Sequence, residues 1–205
     1  MSEVDFTPFV ELTKKNEVTE ALFHSVLEYI EFCYKKMISD KVKYSRKKSK
    51  ETTKIKFEDY LKHKLIDDYL TNAENKRYCN IYDIQSMTFL AEVVKRYTFK
   101  GIEQEDKIDI FISNLGLEQF GEDISPEEIY FAFECKILLD NSKNRDYIAD
   151  MKNFVEREYK FRLPYNGMIG FVEKYKTTIE EIIDDIDKRL DKHIEIETTT
   201  NDNTR

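Results

Sequence analysis

The run I-Y-F-A-F-E-C-K-I-L-L at Ile129–Leu139 constrains this chain more than any other stretch. Its aromatic and aliphatic content reads as a strand in the middle of a sheet. Yet it carries a carboxylate at Glu134 and an ammonium at Lys136. Charge inside a sheet is costly unless it is paired or binds a metal. Alternate strand residues share a face, so Glu134 and Lys136 point the same way, roughly 6–7 Å apart, and Phe133, Cys135 and Ile137 point the other. Upstream, K-I-D-I-F-I-S at Lys107–Ser113 is a second apolar strand holding one acid, Asp109, on the face of Lys107 and Phe111. If the two strands are neighbours, Asp109 sits beside Glu134. Two adjacent carboxylates repel, and one resists ionising unless a cation lies between them. A divalent ion would relieve that repulsion, polarise a phosphate oxygen and acidify a bound water, which a nearby lysine could orient or deprotonate.

The E-x-K triplet alone is not distinctive. The chain contains Glu74-Asn75-Lys76, Glu105-Asp106-Lys107, Glu134-Cys135-Lys136 and Glu158-Tyr159-Lys160. Only the third lies in a strongly apolar strand; the others read as a polar break, a hairpin turn and a helix end. Spacing alone fits a metal site and an edge-strand ion pair equally well.

Composition narrows the chemistry. The 205 residues fit one domain with a sizeable core. Charged residues make up 36%, and there are only five Gly and three Pro, which favours long amphipathic helices around a modest sheet. Cys33, Cys79 and Cys135 form no CxxC pair, and His24, His63 and His193 are isolated. A metal would therefore be held by carboxylates, which suits Mg²⁺ or Mn²⁺ rather than zinc. The net charge of -8 disfavours strong nonspecific DNA binding by the whole molecule, but Lys41–Lys56 carries eight Lys and Arg against one acid. That segment reads as a solvated loop or, less often for such runs, a phosphate-contacting one, with Lys47 and Lys48 as candidates. No apolar run approaches membrane-spanning length and the first residues lack a signal-peptide layout, so a cytoplasmic location without membrane contact is expected.

Taken in order, residues 1–15 are expected to form a flexible arm, 16–197 a single domain and 198–205 a disordered tail. Asn16–Met37 is a helix with Leu22, Val26, Tyr29, Ile30 and Cys33 on one stripe and Asn16 as N-cap. Phe57–Leu70 is a second helix, with Phe57, Tyr60, Leu61, Lys64, Leu65 and Tyr69 along one side. Ile81–Tyr97 fits helix or strand, and helix is favoured through Val94. Thr98–Gln104 and Lys107–Ser113 form a hairpin turning at Glu105-Asp106, and Asn114–Glu128 is a polar excursion. Lys143–Tyr159 is a helix, Met168–Val172 a short strand, and Thr178–Lys192 a last amphipathic helix. The order implies an α/β core with extra N-terminal helices.

The pattern of Asp109, then Glu134-Cys135-Lys136 across two strands flanked by helices, resembles the PD-(D/E)XK restriction-endonuclease-like superfamily. R-D-Y-I-A-D-M-K-N-F-V-E-R-E-Y followed by P-Y-N-G-M-I-G-F-V resembles the helix and final strand of small members from bacterial phage-defence and restriction loci. The likeness spans roughly Gly101–Val172. It departs from the family at Ile108, where a proline is usual before the first aspartate.

The resemblance implies a small mixed sheet flanked by helices. It also implies Mg²⁺ or Mn²⁺ held by Asp109, Glu134 and the backbone carbonyl of Cys135, with Lys136 as the catalytic lysine. A further acid on the first core helix would be Glu17, with Glu20 second. Lys143, Arg145, Lys152 and Arg157, on or beside the next helix, are candidates for phosphate contacts. The expectation is a nuclease acting on DNA, with RNA left open, in an anti-phage or restriction system with a companion ATPase or sensor and with oligomers possible. The competing expectation is a catalytically silent subunit of the same fold that binds a partner.

Overall fold

The computed structural model describes residues 7–40, 44–78, 84–113, 129–138, 141–159, 162–172 and 178–202. It is a mixed α/β protein whose described residues form one five-stranded mixed sheet flanked by helices. Helix α1 (Thr7–Ser39) comes first, then α2 (Arg46–Thr52) and α3 (Phe57–Leu65), which runs on as one π-helical segment, Ile66–Leu70. After α4 (Ala73–Tyr78) come β1 (Thr88–Phe99), β2 (Ile102–Ser113) and β3 (Phe131–Leu138). The chain ends with α5 (Asn141–Glu156), β4 (Glu158–Tyr159), β5 (Gly167–Val172) and α6 (Ile179–Asp202).

β1, β2 and β3 form an antiparallel meander, and β5 joins β3 in parallel after the α5 crossover. Lys100 and Gly101, both at positive φ (51° and 76°), turn the β1–β2 hairpin. Two-residue turns of this hand match the twist of the flanking strands. The helical reading of Ile81–Val94 is therefore corrected: from Thr88 onward this is the long first strand, and the hairpin turns at Lys100-Gly101 rather than Glu105-Asp106. Phe89 and Ala91 pack on one side of the sheet and Val93, Tyr97 and Phe99 on the other, so the strand changes face around Glu92 and no single period runs along it.

Each sheet face has its own core. Leu22, Val26, Tyr29 and Cys33 of α1, with Leu61, Leu65, Ile66 and Leu70, pack on Phe89, Ile110, Ile112, Phe131, Phe133 and Cys135. Opposite them, Phe154 of α5 packs with Phe111, Tyr130 and Ala132, and Tyr147 and Ile148 pack with Leu138 and Ile182 of α6. Gly167 lies directly against the Phe133 ring, leaving no space for a side chain where β5 meets β3.

Several other segments differ from expectation. α1 begins at Thr7, so Asn16 is inside the helix rather than capping it, and residues 7–15 are helical. The segment Arg46–Thr52 is a helix capped by the Ser45 hydroxyl, which accepts from the Lys48 N–H. α6 extends to Asp202, past the expected start of the tail. On α3 the inward lysine is Lys62, while Lys64 faces Asp68 at 2.9 Å on a more exposed side. The excursion Asn114–Glu128 and Cys79 lie outside the described residues. Among the described residues no helix is long and apolar enough to cross a membrane.

Candidate active site

The ladder between β2 and β3 joins Ile110–Ile112 to Phe131–Phe133 and stops there. Continuing that register puts Asp109 opposite Glu134. Past this point two β3 main-chain donors are taken by side chains. Cys135 N–H donates to Asp109 Oδ2 at 2.8 Å, and Ile137 N–H donates to Glu58 Oε2 at 2.9 Å. These two carboxylates satisfy backbone groups that the parted strands would otherwise leave without partners. The opening becomes a cleft of about 320 Å³ lined from five elements: Glu58, Asp59 and Lys62 of α3, Glu92 of β1, Asp106, Lys107 and Asp109 of β2, Glu134 and Lys136 of β3, and Asp150 and Phe154 of α5, with Arg157 just beyond.

Seven carboxylates face four cations around this cleft. Lys62, with its side chain 2% exposed, is the hub: its ammonium meets Asp109 Oδ1 at 2.7 Å, Asp59 Oδ1 at 3.1 Å and Glu92 Oε1 at 3.2 Å. Ala91 pairs with Ile110 and Val93 with Ile108, so Glu92 stands opposite Asp109 on the other side. Glu92 has a φ of 55°, a left-handed conformation that costs a non-glycine residue about 1–3 kcal/mol and is found where the surroundings enforce it. Here its carboxylate is held by Lys62 and, through Oε2, by Lys107 at 3.1 Å. Hydrogen bonds from Lys107 first, then Lys62, keep its pKa below the usual carboxylate range.

Glu134 behaves in the opposite way. Burial first, then the neighbouring Asp109 carboxylate, pushes its carboxyl up to about 8. Its Oε1 is buried and has no hydrogen-bond partner among the described residues. Asp109 already accepts from Lys62 and Cys135, so it is Glu134 that carries the proton of the pair. Lys136, on the same strand face, meets Asp150 Oδ2 at 3.3 Å. Burial pulls its pKa down, but Asp150 and Glu58 outweigh this and hold it above the ordinary lysine value. Lys136 is thus an ammonium at neutral pH, suited to orienting an oxygen or stabilising negative charge rather than to removing a proton.

The structure therefore brings Asp109, Glu134 and Lys136 to one cleft, and Arg157 with them, paired to Asp106 at 2.7 Å. The remaining candidates lie elsewhere. Glu17 is exposed on α1, and Glu20 accepts from the Tyr165 hydroxyl; neither lines the cleft. The helix acids that do line it are Glu58 and Asp59 of α3. Lys47 extends to Glu51 and Lys152 to Glu156, Arg145 is exposed, and Lys48 is half-buried on α2. The side chain of Lys143 is outside the described residues.

Sequence reading missed Lys62, Asp59, Glu92 and Asp150. The one local signal for the first two was E-D-x-x-K at Glu58–Lys62, an acid and a lysine one helical turn apart. Glu92 was hidden by the helical reading of its strand.

Among the described residues no three His, Cys, Asp or Glu side chains converge to hold a metal. The acid pair offers two carboxylates, one of them with a free buried oxygen, and this donor set fits a hard divalent ion completed by water. No family model, curated protein or solved structure matches the chain.

Proposed function

We propose that this protein is a divalent-metal-dependent nuclease of the restriction-endonuclease-like type, hydrolysing DNA phosphodiester bonds in the Asp109–Glu134–Lys136 cleft. One observation carries the reading. Two carboxylates stand opposite each other where β2 and β3 part, one with an oxygen that no described residue satisfies, and an ammonium lies on the same strand face. Mg²⁺ or Mn²⁺ would be held by Asp109 and Glu134, together with the Cys135 carbonyl that the resemblance adds. When bound, such an ion polarises a phosphate oxygen and acidifies a water.

The protein's own groups do the rest. Glu134 gives up its proton to ionise, and Lys62 and the Cys135 N–H hold Asp109 in place. Asp150 steadies Lys136, whose ammonium faces the cleft and can orient the attacking water or the phosphate. A cleft with three more carboxylates than cations repels a phosphodiester unless a cation mediates the contact.

The test is cleavage of plasmid and linear DNA by purified protein in Mg²⁺ or Mn²⁺. Glu134→Ala is expected to lower the rate by at least about a hundred-fold, and wild-type-like cutting by that variant would rule the assignment out. One observation favours a second reading, that of a silent subunit. The Lys62 ammonium already fills the space among Asp59, Glu92 and Asp109. On that reading the protein binds no divalent ion and cuts nothing.

A further inference from the structure

A larger cavity, about 540 Å³, opens beside the acidic cleft between α2 and α5 and shares Glu58, Lys136 and Asp150 with it. Its volume is within the range of small-molecule sites. Its walls divide by chemistry. Ile55, Phe57 and Ile137 supply an apolar surface, and Arg46, Lys50 and Lys56 supply positive charge. Ile55 is 46% exposed within the most basic stretch of the chain, so it offers apolar surface beside the lysines. Arg46 sits over the Phe57 ring at 5.0 Å, so cation and apolar wall are held together. Of the other lining charges, Lys136 and Asp150 are paired, Glu58 caps the Ile137 N–H, and Asp146 stands on α5.

The basic segment is thereby sorted by the turn of α2. Arg46 and Lys50, one turn apart, face the cavity with Lys56. Lys47 and Lys48 lie outside it, Lys47 reaching along the helix to Glu51. A pocket with an apolar wall and a cationic rim matches one unstacked nucleotide, its base against the wall and its phosphate on the rim. A base paired and stacked in a duplex has no free face to lay against the wall.

We infer that this cavity binds one nucleotide of a single DNA strand, flanking the bond at the Asp109–Glu134 pair. The inference rests on the nuclease reading for its purpose but not for its measurement. The experiment is fluorescence anisotropy of a fluorescein-labelled oligothymidylate with the full chain in EDTA, across a series of salt concentrations. Lys50→Glu with Lys56→Glu is expected to weaken binding about ten-fold or more and to flatten the log–log salt slope by about 1.4. Ile55→Ser, an exposed change, is expected to weaken it about five-fold with the slope kept. Lys47→Glu with Lys48→Glu changes net charge equally and should stay within about two-fold of wild type.

Equal losses from the two charge-reversed pairs, unlabelled duplex competing as well as unlabelled single strand, or no binding by wild type would each overturn the inference. Absent cleavage alongside the expected binding pattern would sink the nuclease reading and leave the pocket standing. Intact cleavage with unchanged binding in all variants would do the reverse.

Discussion

Lys136→Ala is expected to slow Mg²⁺-dependent DNA cleavage by about 10²–10⁴-fold while leaving divalent-metal binding intact, because a positioned proton-handling or orienting group is worth about that much. The separation of the two effects follows from the geometry. Lys136 touches Asp150 rather than either acid of the pair, so its removal leaves Asp109 with Lys62 and Cys135 as before. The loss should therefore fall in kcat at saturating Mg²⁺ and not in the Mg²⁺ requirement. The carboxylates of Asp150 and Glu58 hold the ammonium's pKa up against burial. Wild-type activity should accordingly show no decline from this group until the pH passes the ordinary lysine range. A Lys136→Ala enzyme that cuts as fast as wild type, or that has lost metal affinity instead, would contradict the role given to it.

Lys62→Met should unfold far more easily than wild type, by about 3–5 kcal/mol in urea titrations at pH 7, because it removes one partner from a buried charge cluster and leaves the others uncompensated. Asp59 and Asp109 would then lose the cation between them, and Glu92 would keep the more exposed Lys107. The pH dependence has a definite sign. Burial lowers the Lys62 pKa, but the bonds to Asp109, Asp59 and Glu92 raise it above the unfolded value. Its contribution is complete below the unfolded lysine pKa of about 10.4 and is lost as pH climbs through the folded one. On the acid side, Glu92 is depressed in the folded state by Lys107 and Lys62. Its share is present above about pH 4.3 and disappears as pH falls through the folded value. The gap between Lys62→Met and wild type should thus be widest from about pH 5 to 10 and narrow towards pH 3. A gap below about 1 kcal/mol at neutral pH would mean that the cluster is not a structural keystone.

How much of this was legible depended on whether the signal was local. The β3 strand, the face shared by Glu134 and Lys136, and Asp109 on the neighbouring strand follow from period-2 alternation and two charges in apolar runs. The helix and short strand that follow β3 are legible in element order, but the first strand of the meander is not, because Ile81–Val94 reads as helix. The cluster around Lys62 did not show, because it joins residues from α3, β1 and β2 that only tertiary packing brings together. A lysine one position from an apolar stripe looks like a solvated residue until the carboxylates facing it are known. Glu92 shows the other limit: its left-handed backbone is imposed by the strand pairing and the lysines around it, and nothing in L-A-E-V-V announces it. On α2, the run R-K-K-S-K gave the charge but not the face: Arg46 and Lys50 line the larger cavity, and Lys47 and Lys48 do not.

Calorimetric titration with Mn²⁺, run at several pH values in buffers of differing ionisation heat, tests the acid pair most directly. Burial and Asp109 raise the Glu134 carboxyl to about 8, so a cation must displace its proton at neutral pH. The expected result is one bound ion, a proton released to the buffer near pH 7, and affinity that falls roughly ten-fold per pH unit below about pH 8. Binding should be lost in Asp109→Ala and in Glu134→Ala. No Mn²⁺ binding by wild type, or binding that survives both substitutions, would contradict the account.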